Sequence, residues 1–302
     1  MSKSSLDFLA KRVSDRVEAE ILKLGIQYRI FYRAKDLISI KEKIKRKTVD
    51  GKPYSVEGKK MRDLIGVRIV TYFQDDISLV LSVLNKAFIE IETEIDSPDL
   101  TVFKPKRTNI IYSLNDEENQ LLKETVSENR NVEYSLADGT FELQLRTMLS
   151  EGWHEIDHNL RYKCKEDWEL HKEKERMLNG IYASLETNDI AMKSLFNELA
   201  YQHFKSNNWE GLLRTKFRIK FKLSELDAKF VELLNKSNGI GKSIVKVDRQ
   251  EALLELAMFN NNIPLTLSNF LCILNYTLLK DEELESLTSP ALKDLLNKFD
   301  TR

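Results

Sequence analysis

Cysteine is scarce in this 302-residue chain: only Cys164 and Cys272 are present, far apart. Two distant cysteines make no disulfide framework and fit a reducing cytoplasm. Long apolar runs are missing as well. No stretch approaches 18 consecutive apolar residues, so no membrane span is expected. The opening MSKSSLDFLAKRVSDRVEAEILKLG lacks an apolar run ahead of a small-residue cleavage site and reads as an amphipathic helix. There is no convincing fixed-period repeat and no low-complexity tract.

What is present is an ordinary globular composition, 42% apolar and 31% charged, in a chain long enough for two modest domains. The formal net charge of −1 conceals an asymmetry: residues 1–62 hold 17 Lys/Arg against 8 Asp/Glu. A basic N-terminal third in a neutral protein points to a local anion site more than to general nucleic-acid coating; a solvated charged surface is the plainer account.

Periodicity divides the chain. Residues 5–24 have helical spacing, YRIFYRAK (28–35) alternates like a strand, and 39–47 reads as a helix. A loop with Gly51, Pro53 and Gly58 follows, then the β-branched strand LIGVRIVTYF (64–73) and a helix capped by Asp75 or Asp76 that reaches about Phe88. Two more strands are expected near 108–114 and 141–147, separated by a polar loop, and helix resumes near Ser150. Beyond that point strand signals nearly vanish. Helices are expected near 165–184, 188–205, 208–221, 224–236, 243–259, 266–279 and 290–299. The expected class is therefore α+β: a mixed α/β domain at 1–163 and an all-helical domain at 164–302.

Three segments carry chemistry. In the first, Arg33 and Lys35 share one strand face, Ser39 opens the next helix, and Lys43 lies one turn beyond it. Cations around a helix N-terminus suit a polyphosphate; equally, Ser39-x-x-Glu42 is a capping box that needs no ligand. In the second, Asp63 stands at the mouth of an apolar strand as a cap or a metal ligand. Gly66 permits close approach, and Arg68 needs an anionic partner. In the third, FELQLRTMLSEGWHEIDHNLRYK (141–163), Glu142, Gln144 and Arg146 share one strand face opposite Phe141, Leu143 and Leu145. That is a polar cleft over a sheet, or a solvated sheet edge. In the helix after it, Leu149, Trp153, Ile156 and Leu160 form the expected core stripe, with Glu155, His158 and Tyr162 on another face.

Two motif matches compete with that reading. His154 and His158 have the i, i+4 spacing of a zinc peptidase with Glu155 as base, yet only generic acids and His171 offer a third ligand, and Arg33, Lys35, Asp63 and Glu142 stay unexplained. The G-I-G-K-S at 239–243 has Lys236 where a phosphate loop needs glycine, so it reads as a helix start.

Taken together, the three segments resemble the synthetase domain of the RelA/SpoT alarmone synthetase family, particularly its small single-activity members, over about residues 20–163. The family's R-x-K-x-x-x-S-x-x-x-K is matched by Arg33, Lys35, Ser39 and Lys43, and its D-x-x-G-x-R-I by Asp63, Gly66, Arg68 and Ile69. The aromatic–acidic turn is matched by Phe73 to Asp76, and E-x-Q-x-R-T by Glu142, Gln144, Arg146 and Thr147. Trp153, Glu155, His158, Tyr162 and Lys163 match the last motif more loosely.

The resemblance implies a nucleotidyltransferase-like mixed sheet flanked by helices and an enzyme that moves the β,γ-pyrophosphate of ATP onto a ribose 3′-hydroxyl. It implies Asp63 as a Mg²⁺ ligand and Glu142 as a second ligand or as base. Arg33, Lys35, Ser39, Lys43 and Arg68 become the ATP site, where phosphoryl-type transfer asks for positioned cations and a metal. The acceptor loop departs from the family's G-Y-x-S-x-H, because 96–114 has neither the Gly-Tyr pair nor the His. Phe103 or Tyr112 is left to stack on a base and Lys104, Lys106 and Arg107 to meet phosphates, with Gln144, Arg146, Glu155 and His158 nearby. GDP or GTP is the default acceptor; an adenine nucleotide, a tRNA 3′ end or a nucleotide-binding sensor without turnover are the alternatives. The four histidines form no His-Asp dipeptide, so the family's hydrolase module is missing. The helical domain is left to oligomerisation, self-inhibition, partner sensing or a lid.

Overall fold

The computed structural model describes residues 2–95, 108–128, 132–221, 225–259 and 263–300. It divides into two compact units that are discontinuous in sequence. The first takes 1–19, 28–72 and 84–187; the second takes 20–27, 73–83 and 188–302.

The first unit is built on a five-stranded sheet. Its elements begin with most of α1 (Ser2–Leu22), β1 (Tyr28–Ala34), α2 (Leu37–Val49), β2 (Ile65–Thr71) and the end of α3 (Asp75–Ala87), whose residues 75–83 belong to the second unit. They continue with β3 (Glu90–Ile95), β4 (Thr108–Ser113), α4 (Asp116–Glu128), β5 (Thr140–Thr147) and α5 (Met148–Ile156), the last running into a π-helical turn at Asp157–Tyr162. A short α6 (Lys165–Trp168) and the start of α7 (Lys172–Lys205) complete the run. Strand order is β1-β2-β5-β4-β3, with β2 and β5 parallel and the other neighbours antiparallel.

Alternation sorts the sheet into two faces. Val67, Ile69, Leu143, Leu145, Ile110 and Tyr112 are buried on one of them. There Tyr112 and Phe141 pack on Phe88 with ring centroids 5.6 Å apart. The Arg16 guanidinium lies 4.3 Å over the Phe88 ring while it forks onto Glu118 at 2.9 and 2.6 Å. Glu118 is also half of an α4 capping box: its N–H donates to Asn115 and its carboxylate accepts from the Asn115 N–H.

Several expectations are revised. The stretch between the two later strands, expected as a polar loop, contains α4. β3 was not anticipated, because all six of its residues are exposed and three are glutamate, a poor strand former. The helices expected at 165–184 and 188–205 are largely one helix, α7, of 34 residues, and Thr187 in the middle bonds back to the Ala183 carbonyl at 2.9 Å. The core stripe expected in 149–160 holds at Trp153, which is buried and donates to the Leu178 carbonyl at 3.0 Å; Ile156 and Leu160 are instead exposed. After Ile156, the last residue of α5, the backbone widens into the π turn, which rotates Leu160 off the α-helical stripe.

The second unit is helical. The rest of α7 joins α8 (Trp209–Phe217), α9 (Ala228–Lys236), α10 (Asn238–Lys246), α11 (Arg249–Phe259), α12 (Leu267–Leu274), α13 (Glu282–Leu287) and α14 (Pro290–Asp300). Its core includes Leu212, Leu213, Phe230, Leu234, Leu253, Leu256 and Leu271, with the Phe217 and Phe270 rings edge to face at 4.7 Å. The single helix expected at 243–259 breaks between α10 and α11, where Asp248 caps α11 by accepting the Glu251 N–H at 2.9 Å. Among the described residues, no helix is long and apolar enough to cross a membrane.

Candidate active site

Strand register builds the site row by row on the other face of the sheet. Arg33 pairs with Gly66, Gly66 with Glu142, and Glu142 with Ile111. The next row toward the C-terminal end of β2 is Phe31, Arg68, Gln144 and Asn109. One more step reaches Arg146 opposite Val70. A cleft of about 430 Å³ opens over these rows, lined by Arg33, Gly66, Arg68, Glu142, Gln144 and Glu155 among others. A Cβ at Gly66 meets only the Arg33 side chain, at an ordinary contact distance of 3.6 Å.

At the near end of the sheet the backbone ladder runs one residue further, with the Lys35 N–H donating to the Leu64 carbonyl at 2.8 Å. This brings Lys35 to Asp63. Lys43 arrives from α2, whose N-cap is Asp36: its carboxylate accepts the Ser39 N–H at 2.8 Å and the Ser39 hydroxyl at 3.0 Å. Ser39 is therefore third in the helix, not its cap, and the capping box expected with Glu42 is replaced by the Asp36 cap. Both lysines bond the same oxygen, Asp63 Oδ2, Lys43 at 2.5 Å. Asp63 Oδ1 is buried and has no hydrogen-bond partner.

Burial works against ionisation of Asp63, but Lys35 and Lys43 outweigh it and hold the carboxyl below its ordinary value. Glu142 moves the opposite way. Burial and then the neighbouring Asp63 charge push it above 4.5, more than Gln144 and the two lysines pull it down. Its carboxylate accepts from Gln144 at 2.9 Å and from Asn109 at 3.3 Å. The lysines split as well. Burial lowers Lys35, with Lys43 and Arg33 adding repulsion, whereas Lys43 rises despite burial because Asp63, Tyr54 and Glu142 all favour its charge. Two carboxyls side by side with opposed shifts are a recurrent arrangement of acid–base sites.

The unpartnered Asp63 oxygen fits a divalent cation. Among the described residues no three His, Cys, Asp or Glu side chains gather, so such an ion finds at most one or two carboxylates here. Magnesium is commonly held in that way, by one or two carboxylates plus waters and substrate phosphates.

Farther along the cleft, Arg68 donates to Glu151 at 2.7 Å, Glu155 at 2.5 Å and Gln144 at 3.1 Å, and Arg146 donates to Glu151 at 2.8 Å. Burial opposes the Arg68 charge, but its two glutamates raise it; Arg146 is lowered by burial and by Arg68. Glu155 is lowered chiefly by its bond from Arg68. Glu151, which ties both arginines together, was not picked out from sequence, although it lies four residues before Glu155 on the same helix face.

His154 and His158 sit in separate ring clusters. His154 is 6.1 Å from Tyr182, while His158 stacks on Tyr162 at 5.9 Å and 11°. The reading of Tyr112 as a base-stacking residue is corrected: it is fully buried between Phe88 and Phe141, with its hydroxyl bonded to Asn85. Phe103, Lys104, Lys106 and Arg107 lie outside the described residues.

A family model described as a region found in RelA/SpoT proteins matches residues 32–167. No curated protein is similar enough to count as a match. Among solved structures, the small alarmone synthetase 1 from Bacillus subtilis is 20% identical, covering 65% of this chain and 94% of its own, with a TM-score of 0.46. The same synthetase bound to its product pppGpp gives 21%, 65%, 95% and 0.47. A GTP pyrophosphokinase family protein from Streptococcus pneumoniae gives 19%, 64%, 89% and 0.46. The matched span holds Arg33, Lys35, Lys43, Asp63, Arg68 and Glu142, so the cleft belongs to a RelA/SpoT domain that the chain carries at residues 32–167.

Proposed function

We propose that this domain is a pyrophosphokinase that transfers the β,γ-pyrophosphate of ATP to the 3′-hydroxyl of a guanosine nucleotide, GDP or GTP. The observation that carries the reading is the pair of carboxyls at the head of the cleft. Asp63 is held ionised by two lysines and keeps one buried oxygen without a partner, and Glu142, which lines the cleft, is shifted upward under the influence of the Asp63 charge.

In this reading the triphosphate lies along Arg33, Lys35 and Lys43. Lys35 and Lys43 exchange part of their hold on Asp63 for phosphate oxygens. Asp63 and Glu142 would hold Mg²⁺, which would supply charge neutralisation on the transferred group. Glu142 takes the proton from the acceptor 3′-hydroxyl, helped by its raised affinity for a proton. The new bond joins the 3′-oxygen to the β-phosphorus, the bridge between the α- and β-phosphates breaks, and AMP leaves with the bridging oxygen. Arg68 and Arg146, both tied to Glu151, hold the far wall of the cleft, and exposed Phe31 stands beside Arg68 as a ring face for a base.

The test is a label-transfer assay with γ-labelled ATP, Mg²⁺ and a panel of GDP, GTP, AMP and tRNA. Label on GDP or GTP that disappears with Glu142→Gln supports the proposal. Label on AMP or tRNA alone moves the acceptor to adenine nucleotides or RNA ends, and nucleotide binding without label on any acceptor makes the cleft a sensor.

A further inference from the structure

The second unit has a cavity of its own, about 490 Å³, within the range of small-molecule sites. Four cations line it: Lys193 from α7, Lys216 from α8, Arg218 just after α8, and Arg249 at the start of α11. The arginines hold most of the carboxylate oxygens around them, although Asp76 Oδ2 is left without a hydrogen-bond partner. Arg218 forks onto both oxygens of Asp75 at 3.2 and 2.6 Å, and Arg249 takes Asp76 at 2.6 Å. Asp248 caps α11. Arg218, with a side chain only 2% exposed, retains an Nε–H without an acceptor. Lys216 donates to a backbone carbonyl, that of Val245, at 2.7 Å. Lys193 reaches Asp75 only at 4.0 Å and is half exposed at the rim.

The charge count is unbalanced in one direction. Four lining cations face Asp75, Asp76 and Asp248, and the two lysines hold the least of that negative charge. Burial pushes the Lys216 ammonium down, and Arg218 and Arg249 push it further although Asp248 opposes them. A cavity whose buried lysine is disfavoured by neighbouring arginines is electropositive and short of an anion. Tyr201, half exposed, stands on the same wall as Lys193, two helical turns on. Lysines as mobile point charges beside fixed guanidiniums suit a phosphate group, whose oxygens accept from several directions.

We propose that this cavity is a second ligand site, separate from the sheet cleft, that binds a multivalent phosphate-bearing anion through Lys193 and Lys216. The arginines form its fixed wall, locked by Asp75 and Asp76, while the lysines supply the charge that turns toward the ligand. The proposal does not depend on pyrophosphate transfer in the cleft.

Calorimetric titration of the full chain with inorganic triphosphate tests it, using Lys43→Ala to weaken the sheet cleft. A binding event is expected to survive Lys43→Ala and to weaken at least tenfold when Lys193→Glu or Lys216→Gln is added. Lys193→Glu changes a rim residue, so its effect is not confused with unfolding, and circular dichroism checks Lys216→Gln. A non-hydrolysable ATP analogue supplies the second arm. Equal affinity for both ligands assigns the site to the phosphates alone, and tighter analogue binding that Tyr201→Ala removes assigns it to a nucleotide. The proposal is overturned if no event survives Lys43→Ala, or if the surviving event ignores both lysine substitutions.

Discussion

Asp63 and the Asp75–Asp76 pair are both carboxylates buried beside cations, yet they are built for opposite ends. Asp63 meets two lysines on a single oxygen and leaves the other buried and unpartnered. Asp75 meets an arginine fork on both oxygens, and Asp76 is fully buried with one oxygen on Arg249 and the other unpartnered, while Arg249 also donates to the Phe217 carbonyl at 2.9 Å. An ammonium on a flexible stem can turn from a carboxylate to a phosphate; a planar guanidinium held at two or three points cannot do so without breaking its geometry. In the proposed function, the choice of lysine or arginine thus separates a carboxylate that can be released to substrate from one that fastens helices together.

That contrast is broken most directly at Glu142. Glu142→Gln is expected to lower pyrophosphate transfer by about 10²–10⁴-fold, the usual worth of a positioned base, with circular dichroism unchanged. Transfer at the wild-type rate removes Glu142 from the chemistry. Asp76→Ala should act on stability instead. It leaves Arg249, 9% exposed, without its carboxylate and should cost about 3 kcal/mol in urea unfolding; a loss below about 1 kcal/mol shows that Asp75 suffices for both arginines.

A smaller effect is expected at Asp63, where the lysines can turn to solvent. Asp63→Asn should cost roughly 1 kcal/mol near neutral pH. Burial raises the Asp63 carboxyl, but Lys35 and Lys43 hold it below its ordinary 3.8, so its contribution is complete above that value and is lost as pH falls through the lower folded-state value. The stability gap between wild type and Asp63→Asn should therefore narrow as the pH is lowered below 3.8 toward the folded-state value, and a gap that stays constant contradicts the pairing. The finest test is the pH–rate profile. With Glu142 shifted upward by burial and by Asp63, the acid limb of transfer should fall above 4.5 and be missing from the residual activity of Glu142→Gln.

Much of the sheet face was legible beforehand. Period-two alternation placed Glu142, Gln144 and Arg146 together, and Arg33 with Lys35, because successive side chains of a strand must point to opposite faces. The α4 helix was legible but overlooked: Asn115 and Glu118 spell a capping box ahead of Leu121 and Leu122. Tyr112 was misjudged because an aromatic among cations can serve as a stacking platform or a core ring, and only its partners Phe88 and Phe141 decide which. The stripe continued to Leu160 failed because the spacing rule assumes an unbroken α-helix, and the π turn begins at Asp157; Ile156, still within α5, is exposed as well.

By itself, the sequence determined what is local: strand alternation, the residue types on each face, and the order of motifs that marks a RelA/SpoT domain. These follow from backbone geometry within a few residues. Which carboxylate meets which cation was decided only in the tertiary structure. Lys35 and Lys43 lie 28 and 20 residues from Asp63, and Arg249 lies 173 from Asp76. No periodicity reaches so far, because strand register and helix packing, not chain spacing, set which charges become neighbours.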